Sequence, residues 1–81
     1  MAKAPHLLKF NDLSNPWQRF RSQTGMSQVE LAALLKIGQS AISTYEAGGT
    51  PEVIFAKRLV ALARERRVRM SMDELYAHVE A

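Results

Sequence analysis

Residues 27–49 read Ser27-Gln28-Val29-Glu30-Leu31-Ala32-Ala33-Leu34-Leu35, then Lys36-Ile37-Gly38, then Gln39-Ser40-Ala41-Ile42-Ser43-Thr44-Tyr45-Glu46, and close on Ala47-Gly48-Gly49. Ser27 with Glu30 three residues later is a capping box, so a helix starts there. Leu31, Leu34 and Leu35 form its apolar stripe. Lys36-Ile37-Gly38 interrupts it, and a second short helix spans about Gln39 to Glu46 with Ile42 and Tyr45 on its inner side. The glycines after Ala47 end that helix. Two short helices joined by about three residues make a helix-turn-helix pattern. Ala32 is small enough for a close crossing, and Leu31, Leu35, Ile37, Ile42 and Tyr45 fill the wedge. The face left outside reads Gln39, Ser40, Ser43, Thr44: short, polar and uncharged. Amides and hydroxyls of this kind suit base edges, because Gln can grip adenine with two hydrogen bonds.

Outward from this pair the chain stays helical. Asn15-Pro16 is a cap followed by a first-position proline. Trp17 and Phe20 share a buried face, and Gly25 ends the helix. Thr50-Pro51 repeats the cap-plus-proline start and opens a long helix to about Arg66, with Phe55, Leu59, Leu62 and Ala63 on one face. Ser71 and Glu74 form another capping box before a short last helix carrying Leu75, Tyr76 and Val79. No segment alternates as a strand does. The expected class is all-α, a compact bundle of about five helices around a central helix-turn-helix. Residues 1–14 are expected to be an arm or short extra element, and 15–81 the domain.

Eighty-one residues make one domain, with little stability to spare. No Cys is present, and the two His, His6 and His78, stand at opposite ends. Thiolate and His-based metal sites are therefore not expected, nor is any cofactor. No Gly-rich phosphate loop is found and the carboxylates are few and scattered, so the chain does not read as an enzyme. Met1 to Phe10 lacks the apolar core of a signal peptide, and no run approaches the ~20 residues of a membrane span, which points to a cytoplasmic location. The net charge is +3, and all 11 Lys and Arg lie at or before Arg69, whereas Asp73, Glu74 and Glu80 lie beyond it. A basic body favours a polyanion, since neutralising phosphates releases counterions. Arg64, Arg66, Arg67 and Arg69 read as a solvated helix end complementing the helix dipole.

The segments Ser27–Ala32 and Gly38–Gly48, with Arg21 and Gly25 ahead and Thr50-Pro51 behind, resemble the helix-turn-helix of the phage repressor/Cro (XRE) family. Gly38-Gln39-Ser40 is similar to the opening of the recognition helix in phage lambda repressor, and the resemblance covers roughly Trp17 to Leu75. It implies a lambda repressor-like DNA-binding domain of phage or plasmid origin in a bacterial cell. Gln39 and Ser40 would read bases, Thr44 would approach a base or a thymine methyl, and Ser43 would touch a base or a phosphate. Gln28 would donate to a phosphate and brace Gln39. Arg21 and Glu46 match a structural ion pair. Lys36 stands where the family usually has Gly in the turn, and would reach a phosphate from a left-handed conformation costing roughly 1–2 kcal/mol. Ala47, Gly48 and Gly49 replace residues that supply two backbone contacts in the family. Thr50, Lys57, Arg58 or an arm with Lys3, His6 and Lys9 would have to make these up.

One such domain discriminates too little alone, because each good bidentate contact is worth about 1–3 kcal/mol and specific binding needs roughly 4–10. A homodimer on a palindromic double-stranded DNA operator is therefore expected, acting as a repressor. Met70, Met72, Leu75, Tyr76 and Val79 are the interface candidates, some of them packing within the domain instead. The alternative is an antitoxin that binds DNA and also a protein toxin. A toxin or co-regulator would then use the acidic, apolar C-terminal section.

Overall fold

The computed structural model describes residues 15–77, which form five α-helices and no strand: α1 Pro16–Thr24, α2 Gln28–Leu35, α3 Gln39–Glu46, α4 Val53–Glu65 and α5 Met72–Tyr76. The all-α bundle expected from the sequence is the fold. The proposed arm, 1–14, and the positions His78 and Val79 lie outside the described residues.

Local chemistry sets most boundaries. Asn15 Oδ1 accepts from the Trp17 and Gln18 amides at 2.9 and 3.0 Å, and Pro16 occupies the first turn. Gly25, at φ 76°, takes the left-handed cap and donates to Arg21 O at 2.8 Å. Both capping boxes are present: Ser27 with Glu30 on α2, and Ser71 with Glu74 on α5. Lys36 ends α2 at φ 59°, in the left-handed conformation that the turn demands. The Ile37 amide then closes onto Ala32 O at 3.0 Å.

Three expectations need correction. The helix after α3 starts at Val53, not at Pro51, and its N-cap is Glu52. Were Pro51 the first helical residue, its carbonyl would accept from Phe55. Instead the Phe55 and Ala56 amides both bond to Glu52 O, and the Pro51 carbonyl accepts the Tyr76 hydroxyl at 2.9 Å. Leu34 is not on the buried stripe of α2; it is 48% exposed. The buried face of α2 is centred among Leu31, Ala32 and Leu35, and Leu34 stands about 100° from that centre. On α4, Ala56 is fully buried, while Phe55 is only partly so, beneath the Arg58 guanidinium at 5.4 Å.

The core gathers Trp17, Phe20, Leu31, Leu35, Ile42, Leu59 and Leu75, all with almost no exposure. Each helix contributes, which is how so short a chain closes around one centre. Trp17 lies against Tyr45 with ring centroids 4.8 Å apart. Its Nε1–H is buried without a partner among the described residues, a cost of about 1–3 kcal/mol. Burying an indole removes roughly 150–250 Å² from water. At about 25 cal/mol per Å² the gain exceeds that cost. Ala32, small enough for a close crossing, is buried.

Candidate nucleic-acid interface

The outer face of α3 follows from what its inner face must do. Ile42 and Tyr45 are buried, so the helix is held by one side. Gln39, Ser40, Ser43 and Thr44 are all exposed, and at 3.6 residues per turn they fall within an arc of about 140°. The helix holds no basic residue, so this face offers hydrogen-bonding tips without a competing charge.

Behind it runs a chain of side-chain hydrogen bonds. Arg21 on α1 grips the Glu46 carboxylate in two places, Nε to Oε2 at 2.6 Å and Nη2 to Oε1 at 3.0 Å. Arg21 Nη1 also donates to Met26 O at 3.2 Å. Gln28 Nε2 donates to Glu46 Oε1 at 2.9 Å. The Gln28 carbonyl in turn accepts from Gln39 Nε2 at 3.1 Å. Gln39 is thereby oriented by a residue that is itself fixed to the ion pair. The Glu46 side chain is only 8% exposed. Burial pushes its carboxyl up, but the hydrogen bonds from Arg21 and Gln28 and the Arg21 charge prevail and hold it below the usual range. Arg21 is raised, chiefly by its hydrogen bond to Glu46. A paired, hydrogen-bonded charge of this kind fixes geometry more than it adds stability.

Lys36, in the turn between α2 and α3, and Thr50, beyond the end of α3, are both exposed. Lys57 is exposed on α4. Arg58 is committed elsewhere, because its Nη1 donates to the last carbonyl of α2, Leu35 O, at 2.7 Å. Gly49 has a reason that the sequence alone did not show. A Cβ at that position would stand 2.6 Å from Thr44 Cγ2 and 3.0 Å from Thr44 O. A side chain there would therefore collide with α3.

Of the interface candidates, Leu75 is fully buried and belongs to the core. Met70, Met72 and Tyr76 are partly buried against it. The sequence reading passed over Val53 and Ile54, which are 56% and 51% exposed at the start of α4. Assigning them to a helix interior hid them; a start at Val53 would have placed them in an open first turn.

The fold and this arrangement define a helix-turn-helix domain. The chain belongs to the helix-turn-helix family of the phage repressor/Cro (XRE) type, whose model matches residues 18–65, more than half of its length. Comparison with curated proteins and with solved structures finds no match. Membership makes the chain a DNA-binding transcription regulator in general terms. Among the described residues no helix is long and apolar enough to cross a membrane.

Proposed function

We propose that the chain is a sequence-specific repressor that binds a palindromic operator as a homodimer, with α3 in the major groove. One observation carries this reading: the exposed, uncharged tips of Gln39, Ser40, Ser43 and Thr44 on a helix whose opposite side is buried. Gln39 and Ser40 read base edges, and Ser43 and Thr44 approach a base or phosphate farther along. Gln28, Lys36 and Thr50 meet the sugar–phosphate backbone. Gln28 uses the amide hydrogen left over from its bond to Glu46.

The dimer face draws on Met70, Met72 and Tyr76. Val53 and Ile54 extend it, because Tyr76 touches Pro51 and thereby brings α5 beside the start of α4. Selection of duplexes from a random pool tests the reading. A palindrome with half-site centres about one turn, ~34 Å, apart is the expected outcome. Recovery of unrelated sequences would refute sequence-specific binding.

A further inference from the structure

The C-terminus of α3 needs donors, because the last carbonyls of any helix have no partner within it. Ser43 O and Thr44 O accept the Ala47 amide at 3.0 and 3.1 Å, and Gly49 also donates to Thr44 O at 2.9 Å. Tyr45 O receives the Gly48 amide at 3.1 Å. The remaining donors come from α1. Asn15 Nδ2 reaches Tyr45 O at 2.9 Å and Glu46 O at 3.3 Å, and Gln18 Nε2 reaches Glu46 O at 3.1 Å. The other end of the same Asn15 amide, Oδ1, caps α1. No basic residue stands in the last turn of α3 to serve instead.

We propose that Asn15 is a positioning residue for the recognition helix: one side-chain amide caps the start of α1 and holds the end of α3, fixing the turn that carries Ser43 and Thr44. This rests on the reading of α3 as the base-reading helix. Its logic is separable by substitution. Asp and Ser cap a helix start about as well as Asn. Neither offers the Nδ2 donor. Asp also turns a negative oxygen toward two carbonyls at the negative end of the α3 dipole.

The test compares Asn15→Asp and Asn15→Ser with the unaltered chain in two measurements. The first is amide hydrogen exchange without DNA. The Ala47, Gly48 and Gly49 amides should exchange about tenfold faster in both variants, the scale of one lost hydrogen bond, while the Trp17 and Gln18 amides keep their protection. The second is the ratio of affinities for the duplex selected by the unaltered chain and for random duplex. It should fall about tenfold in both variants, since taking a ratio cancels the general electrostatic effect of the added Asp charge. Unchanged exchange at Ala47–Gly49 overturns the proposal. An unchanged affinity ratio despite faster exchange also does so. Equal loosening of Trp17 and Gln18 would make Asn15 a general fold residue and overturns it too. If the unaltered chain selects no duplex, the reading of α3 fails, while the exchange result still decides what Asn15 holds.

Discussion

Gly49 and Lys36 show how single positions shape this site. Lys36 accepts left-handed strain where Gly would be easier, and keeps a charge at the turn. Gly49 gives up a side chain so that the chain can fold back onto Thr44. Gly49→Ala should therefore destabilise the domain by about 1–3 kcal/mol, as overpacking does. For a domain of this size each kcal/mol lowers the melting temperature by roughly 4–8 °C. A melting temperature equal to that of the unaltered chain would show that Thr44 yields freely. The left-handed Lys36 was legible from the family resemblance, which puts Gly at that place in the turn. Gly49 was not, because its reason is the approach of a residue on the preceding helix.

Helices α1, α2 and α3 are tied together by charge and amide groups around Glu46. Arg21→Ala should lower stability by about 1–3 kcal/mol, since it leaves a buried carboxylate without its main partner. Thermal melting at neutral pH checks this, and an unchanged midpoint would mean that the pair is energetically idle. The same pair has a pH signature. The folded Glu46 carboxyl titrates below its ordinary value of 4.5. Its contribution is therefore complete above that value and is lost as pH falls through the lower folded one. Glu46→Gln should flatten the stability profile in that acidic window, and an equally steep profile would argue against it. Caps and capping boxes were readable because they are local, spanning three or four residues. The start of α4 was not, because Pro51 is held by Tyr76, 25 positions away. Leu34 misled for a related reason: three leucines in a short helix match the period, but only the neighbouring helices determine which of them is covered.

The described residues form one core fed by all five helices, with an exposed polar edge on α3. Leu75 in that core means that α5 cannot be removed to test assembly without also damaging the fold. Surface charges are the better tool. Val53→Lys combined with Ile54→Lys should shift the protein toward monomer in sedimentation equilibrium while leaving its helical content intact. A dimer of unchanged affinity would move the interface away from α4. The bundle and the exposed polar face of α3 were visible in the sequence because both rest on short-range patterns. A surface for a second copy was not, since a single chain's periodicity cannot distinguish surface that meets a partner from surface that meets water.

The proposed function makes Gln39 the residue on which sequence reading depends, and its contribution is best measured by titrating Gln39→Ala against the selected operator and against random duplex. A bidentate contact to a base is worth about 1–3 kcal/mol, so operator affinity should drop roughly 5- to 150-fold while random-duplex affinity changes little. Equal losses on the two duplexes would contradict the assignment of α3 as the helix that reads DNA sequence.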